Sequence, residues 1–337
     1  MSLETISQAS MSQGGMSQDG TSQGGMSQGS ARRRGTVRRL TRLVALVMAF
    51  AVTLSVLAFA STQVLNAAER PTSTTTLSMK VGGVIRSWMT ILPSAPLPKS
   101  APIIVVLSGV AASTSEEINR DDLLAYAQAD EAELVYPVSI QESWNAGGCC
   151  GYAGDHNVDD LAFMKALVPQ IDPHHVRPLY LVGYSNGGRM AYDIACHDPG
   201  LYDGMAIVKA DPMPGCDVTK PETIIQLDSL DDPWVPYLPG AVGKESPAAT
   251  VQIGRLATAD ECGPSTNVLK QGNMTDTTWT NCANGVRLSF AVWTTGAHNF
   301  PEPPKDHPTG SAVIYAFFTR TAVQPVPDQC RSNPNWC

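Results

Sequence analysis

The stretch Leu179-Tyr-Leu-Val-Gly-Tyr-Ser-Asn-Gly-Gly-Arg-Met190 decides how this chain folds. Leu179–Gly183 is a short apolar run of strand length. Gly187–Cys196 carries apolar residues at helical spacing: Met190, Ala191, Ile194 and Ala195. Between the two, Gly183-Tyr184-Ser185-Asn186-Gly187 is a G-x-S-x-G. A sharp strand-to-helix turn at this point pushes Ser185 Oγ out over the sheet edge, and side chains at 183 and 187 would collide with adjacent backbone. The helix that follows aims its first amides at the same spot, where they favour a developing negative charge. The pentapeptide alone is a weak signal, because Gly and Ser are common residues. The strand before it and the helix after it give it meaning.

The same alternation continues on both sides. Val84–Leu92, Ile103–Leu107, Glu133–Val138, Met205–Val208, Thr223–Leu227 and Leu288–Trp293 read as strands. Ile103–Leu107 is apolar without interruption, as expected of a strand covered on both faces. Glu116–Ala129, Val158–Leu167 (through Leu161, Phe163, Met164 and Leu167) and Ala312–Phe318 read as helices. The rhythm predicts an α/β fold over 79–337, with a mostly parallel central sheet and helices on both faces.

Residues 7–30 repeat Ser-Gln-Gly-Gly and Met-Ser-Gln units, so 1–31 reads as a low-complexity disordered tail. Arg32, Arg33, Arg34, Arg38, Arg39 and Arg42 follow, and then the charge-free apolar run Leu43–Ala60. With its closing Ala58-Phe59-Ala60, the segment 32–60 has the layout of a secretory signal peptide cleaved after Ala60. The run is also long enough to span a bilayer, so a retained signal-anchor is the alternative. In both cases the arginines stay in the cytoplasm and the later residues end outside, secreted or membrane-anchored. Residues 61–78, rich in Ser, Thr and Ala, read as a linker.

The chain has 337 residues, a formal charge of −8 and 43% hydrophobic residues, enough apolar material for a sizeable core. Leaving out the arginine-rich leader makes the rest more acidic still. An acidic body argues against nucleic acid as a partner, and against any membrane contact except through an N-terminal anchor. Nothing in the residues speaks to an oligomeric state. Eight cysteines, all from residue 149 onward and even in number behind an export signal, read as disulfides in an oxidising compartment. There is no CxxC and no Cys/His spacing of a zinc site, so neither metal nor cofactor is expected. Asn273-Met-Thr275 is a glycosylation sequon, with meaning only in a eukaryotic secretory pathway.

A nucleophilic serine needs a general base, and the base needs an orienting carboxylate. Chains built on such a strand–turn–helix place them in the order Ser, acid, His. His156, His174 and His175 precede Ser185, and His197 ends its helix. His298, in a small-residue loop after an apolar strand, is the better base. His307 sits in a polar, Pro-rich stretch and reads as an exposed loop histidine. For the acid, Asp228, Asp231 and Asp232 all lie near the end of one strand, and geometry alone does not choose among them.

Several of these segments together resemble the secreted polyhydroxybutyrate depolymerase and feruloyl/acetyl-xylan esterase group of the α/β-hydrolase superfamily. They are Trp144-Asn-Ala-Gly-Gly-Cys-Cys150, Val158-Asp-Asp-Leu-Ala-Phe163, Gly183-Tyr-Ser-Asn-Gly-Gly188, Asp232-Pro-Trp-Val-Pro-Tyr237 and Gly296-Ala-His-Asn-Phe-Pro301. The resemblance spans about 79–320. By position it implies an α/β-hydrolase with Ser185 as nucleophile, Asp232 as acid and His298 as base. It implies an oxyanion hole from the backbone amides of Asn186 and Val110. Trp144, Tyr184, Trp234 and Phe300, aromatic residues in or beside these segments, are candidate pocket walls. The group's cysteine layout implies that Cys262 pairs with Cys282, and that Cys149, Cys150, Cys196 and Cys216 form two bridges tying the Trp144 loop to the nucleophile helix. Cys330 and Cys337 would form a terminal clip. Adjacent Cys149 and Cys150 are not expected to pair with each other.

The chain departs from the group's pattern in three places. Ser108-Gly109-Val110-Ala111 stands where the group has His-Gly followed by more glycine, Asp228-Ser229 replaces a second His-Gly, and Phe300 replaces Trp. These changes bear on substrate more than on chemistry. The expectation is an exported serine esterase acting on an ester, polymeric or small, of polyhydroxyalkanoate, feruloyl or acetyl type. A lipase, cutinase-like enzyme or peptidase is the alternative within catalysis. A non-catalytic hydrolase-fold surface-binding protein is the alternative outside it.

Overall fold

The computed structural model describes residues 71–239, 248–264, 266–302 and 308–323, all within one compact unit, Ala67–Cys337. The expected tail and leader lie outside the described residues, as do His307, Cys330 and Cys337. Among the described residues no helix is long and apolar enough to cross a membrane.

Ten strands are described: β1 (Ser73–Val81), β2 (Val84–Leu92), β3 (Ile103–Leu107), β4 (Glu133–Pro137), β5 (Leu179–Tyr184), β6 (Gly204–Val208), β7 (Ile224–Ser229), β8 (Thr266–Gln271), β9 (Met274–Trp279) and β10 (Leu288–Trp293). They form one sheet in the order β1-β2-β4-β3-β5-β6-β7-β10-β9-β8. The strands from β4 to β10 in that order pair in parallel. The hairpins β1–β2 and β8–β9 close the two edges in antiparallel pairing. Seven helices are described: α1 (Thr114–Arg120), α2 (Leu124–Gln128), α3 (Gly151–Asp155), α4 (Asp160–Ile171), α5 (Asn186–His197), α6 (Ala249–Ala259) and α7 (Gly310–Thr319).

All five side chains of β3 are buried. Successive side chains of a strand point to opposite faces, and the two cores follow that alternation. Ile103, Val105 and Leu107 pack with Phe163 of α4, Ile194 of α5 and Leu256 of α6. Ile104 and Val106 pack on the other face, with Tyr126 of α2 and Ile314 of α7. Each layer removes apolar surface from water at about 25 cal/mol per Å², so the continuous apolar strands and the helices on both faces are one physical fact.

Three expectations are corrected. First, the segment 116–129 is two helices. Asp121 caps α1, Asp122 takes a left-handed conformation (φ 55°), and Asp121 Oδ1 accepts the Leu123 N–H at 2.9 Å to start the next turn. Second, the 61–78 linker ends early, because β1 begins at Ser73. Its side chains are exposed over most of its length, so the backbone pairing with β2 is its main tie and leaves little apolar signature. Third, the cysteines pair differently. Cys262 pairs with Cys282, but Cys196 pairs with Cys216, and Cys149 pairs with its neighbour Cys150. Cys149 and Cys150 sit beside Arg189 at the N-terminal end of α5, whereas Cys196 is at the far end. At 1.5 Å per residue the helix rises by roughly 10 Å between Arg189 and Cys196, beyond the Cα separation a disulfide spans. The tie between the Trp144 loop and α5 is made by Asn186 instead. Its side chain accepts the Trp144 N–H at 2.7 Å and donates to the Trp144 carbonyl at 3.0 Å.

Candidate active site

Ser185 stands between β5 and α5 with φ 52° and ψ −113°, a region that L-residues leave unless the surroundings hold them there. The surroundings here are three backbones in close approach. A Cβ on Gly183 would overlap the Gly187 carbonyl, and one on Gly187 would overlap the Leu107 carbonyl at the end of β3. Glycine at both positions lets the turn close, and the turn lifts Oγ above the C-terminal edge of the sheet.

His298, in the loop after β10, reaches the same edge. Its Nε2 is 2.9 Å from Ser185 Oγ, and its Nδ1 is 2.9 Å from Asp232 Oδ2 and 3.1 Å from Oδ1. A carboxylate can only accept, so Nδ1 carries the proton and Nε2 is left as an acceptor facing the serine hydroxyl. The Asp232 side chain is fully buried while that of His298 is 22% exposed. Asp232 Oδ1 also accepts the N–H groups of Trp234 (2.7 Å) and Val235 (3.0 Å), which hold its plane.

The structure separates the three aspartates by contact. Asp228, the fifth residue of β7, is fully buried and accepts from Gln226 at 2.7 Å. Burial pushes its carboxyl up to about 7, with Lys209 and Gln226 pulling the other way. Asp231 accepts the Ala297 N–H at 2.8 Å. Only Asp232, of the three, meets the histidine ring.

A cavity of about 430 Å³ opens over Ser185 and His298, lined also by Val110, Cys150, Asn186, Arg189, Lys209, Asp211, Trp234 and Val235. These residues come from loops after β3, β4, β5, β6, β7 and β10. That is the C-terminal edge, where the helix-starting turns of a parallel sheet leave room for a ligand. Asn186 is the first residue of α5, so its N–H has no partner one turn back in the helix. Val110 lies in the loop after β3. The neighbouring amides are engaged, Gly109 with Glu117 Oε2 at 3.4 Å and Ala111 with the Glu142 carbonyl at 2.8 Å. Among the described residues neither the Val110 N–H nor the Asn186 N–H finds an acceptor.

The expected pocket walls divide. Trp234 is 65% exposed and lines the cavity. Trp144 and Phe300 are buried and do not. Trp144 turns its ring under the β3 loop, where Nε1 donates to the Ser108 carbonyl at 3.1 Å. Phe300 packs edge-on against Tyr184. Tyr184 is half-buried behind the histidine and donates its hydroxyl to the His298 carbonyl. Burial pushes that hydroxyl up to about 12, so it stays a donor at any neutral pH.

Sequence reasoning missed the polar floor of the cavity. Lys209, just past β6, is fully buried in a left-handed conformation (φ 53°). It donates to Ser229 Oγ and, at 3.0 Å, to the Ala297 carbonyl. Arg189 pairs with Asp211 at 2.6 Å and reaches Cys149 Sγ at 2.9 Å. The available signal was positional: Lys209-Ala-Asp211 stands directly at the end of a fully buried strand.

No protein-family model matches the chain. It is 30% identical over 206 residues to the "Putative esterase NocK" of Nocardia uniformis subsp. tsuyamanensis, a match that spans 56% of this chain and 59% of that protein. Among solved structures it is similar to an acetyl xylan esterase from Aspergillus awamori (TM-score 0.49, 14% identity, over 73% of this chain and 99% of that one). It is also similar to a thermostable esterase (TM-score 0.47, 16% identity, over 72% of this chain and 60% of that one). The fold assignment rests on the strand order, the turn at Ser185 and the side chains gathered at the sheet's C-terminal edge, and on these the chain has the α/β-hydrolase fold.

Proposed function

We propose that the protein is an exported serine esterase that hydrolyses carboxylic esters through an acyl-enzyme at Ser185. One observation carries the reading: Ser185, His298 and Asp232 stand in an unbroken line of hydrogen bonds at the floor of a cavity rimmed by two amides without acceptors. As Ser185 Oγ attacks the ester carbonyl carbon, its proton passes to His298 Nε2, and Asp232 stabilises the imidazolium. The oxyanion accepts from the Asn186 and Val110 amides, each such donor lowering the barrier by about 3 kcal/mol. His298 returns the proton to the departing alcohol oxygen. Water then attacks the acyl-enzyme with His298 as base, releasing the acid and restoring the Ser185 hydroxyl. An ester as substrate is supported by the likeness to NocK. A feruloyl, acetyl or polyhydroxyalkanoate ester is supported by the motif resemblance alone, and export by the leader.

The test is mass analysis of the purified protein after exposure to a fluorophosphonate ester. A single adduct on Ser185 is expected, absent from Ser185→Ala and His298→Ala variants that remain folded. A folded, disulfide-bonded protein that takes up no adduct would overturn acyl transfer in favour of a surface-binding role. A panel of acyl chain lengths and amides then separates esterase from lipase and peptidase.

A further inference from the structure

Outside the lining of the cavity lies a buried carboxyl side chain that the mechanism above does not use. Glu117 of α1 is 1% exposed. Its Oε2 accepts the Gly109 N–H at 3.4 Å and pairs with Arg120 at 2.6 Å, while Oε1 has no partner among the described residues. Burying a carboxylate with one oxygen unsatisfied is costly, and an apolar residue in its place would avoid the cost. The contacts continue from there. The Arg120 guanidinium lies over the Tyr184 ring, 5.0 Å from its centre, and the Tyr184 hydroxyl donates to the His298 carbonyl. Gly109 closes against the same ring, where an added Cβ would sit 3.0 Å from Tyr184 Cδ1.

We propose that Glu117 is a positioning residue for acyl transfer. Its carboxylate holds the Gly109 N–H so that the next amide, Val110, faces the cavity, and through Arg120 and Tyr184 it ties that loop to the backbone of His298. The proposal rests on the acyl-transfer reading of Ser185. The oxyanion loop and the base come from opposite parts of the chain, and this chain of contacts sets their spacing. A small displacement of either is enough to slow chemistry, since transition-state donors act only over a narrow range of positions.

The holding is charge-assisted, so it depends on the ionisation of Glu117. Burial pushes this carboxyl up to about 7, against the opposing pull of Arg120 and the Gly109 amide. The other groups facing it are Asp121 at the end of α1, Tyr136 of β4, Tyr184 of β5 and Glu302 after β10. Above neutrality the carboxylate is charged and the loop is held. Below it the group is neutral and the hold weakens.

Glu117→Gln is a permanently neutral acceptor of the same shape, and therefore copies the protonated state at every pH. With 4-nitrophenyl acetate as probe, the ratio of wild-type kcat to that of the variant is expected to be near one at about pH 6 and to rise to about tenfold at about pH 8.5, with KM little changed. Arg120→Gln, at a side chain 28% exposed, removes the charge that lowers the Glu117 carboxyl, so the rise in kcat should move to higher pH. It provides a second reading should the Gln variant fold poorly. A kcat ratio of one throughout, a ratio that does not change with pH, or an Arg120→Gln profile that does not move would each overturn the proposal. The fluorophosphonate reaction keeps the two readings apart. If wild-type Ser185 takes up no adduct, acyl transfer itself fails and this proposal with it. If Ser185 reacts and the ratio is flat, only the role of Glu117 falls.

Discussion

Ala297, the residue just before the histidine, is gripped on both sides of its backbone. Asp231 takes its N–H and Lys209 donates to its carbonyl. The three aspartates at the end of β7 thus do separate work. Asp228 packs with Gln226 and lies near Lys209 under the site, Asp231 anchors the histidine loop, and Asp232 meets the ring. The sharpest consequence is a contrast between two isosteric changes. Asp232→Asn presents Nδ1 with a group that can donate, which favours the wrong imidazole tautomer, and should lower kcat by about 10³–10⁴ with the fold unchanged. Asp228→Asn, which leaves the ring's partner in place, should cost kcat far less. Steady-state kinetics beside thermal melts of the two variants checks this, and equal losses in both would contradict the assignment of roles.

At the scale of elements, the helix α5, which Ser185 immediately precedes, is held at both ends by different means. Its N-terminal end is fixed by close backbone approach at Gly183 and Gly187 and by the Asn186 clamp on Trp144. Its C-terminal end is fixed by the Cys196–Cys216 bridge, which closes a loop of 20 residues containing β6 and the Lys209–Asp211 segment. A bridge closing a loop of that length stabilises by about 3 kcal/mol, chiefly by restricting the unfolded chain. Replacing both cysteines with serine is expected to lower the urea midpoint accordingly while kcat changes little, because the bridge lies at the end of α5 away from Ser185. Equilibrium unfolding and kinetics on the same sample measure both. A large drop in kcat without loss of stability would mean that the bridge sets the position of the nucleophile as well.

Among the described residues, buried carboxyls are spread over the molecule. Burial pushes Glu117, Glu222 and Asp228 up to about 7 and Asp260 up to about 6. A carboxyl whose folded value lies above its unfolded value binds its proton more tightly in the native state. Its stabilising effect is complete below the unfolded value, near 4, and is lost as pH rises through the folded one. The thermal midpoint is therefore expected to fall between about pH 5 and pH 8 and then to level off. A midpoint that rises over that interval would show that these groups are ionised and well paired in the folded protein. The trend in stability runs opposite to the expected trend in activity, because the ionised Glu117 that strains the fold is the form that holds the oxyanion loop.

Much of the molecule was legible in one dimension. Ile103–Leu107, Leu179–Gly183 and Leu288–Trp293 are apolar because both faces of a central strand are covered, and the strand assignment followed from that. Ser185 was legible because close approach demands glycine on both sides, and His298 because chain order set aside His156, His174 and His175 while local context set aside His197 and His307. These are local constraints, in which neighbouring residues carry the whole cause. Choosing Asp232 over Asp228 and Asp231 required knowing how the loops after β7 and β10 lie against each other, and that is set by the pairing of two strands about sixty residues apart. The inward turn of Trp144, the pairing of Cys196 with Cys216, and the approach of Lys209, Arg189 and Glu117 to the site were decided the same way. Side-chain type sets what a residue can do at short range. Which partner comes within that range is set by how the sheet brings distant segments together, and no window of the sequence contains both of them.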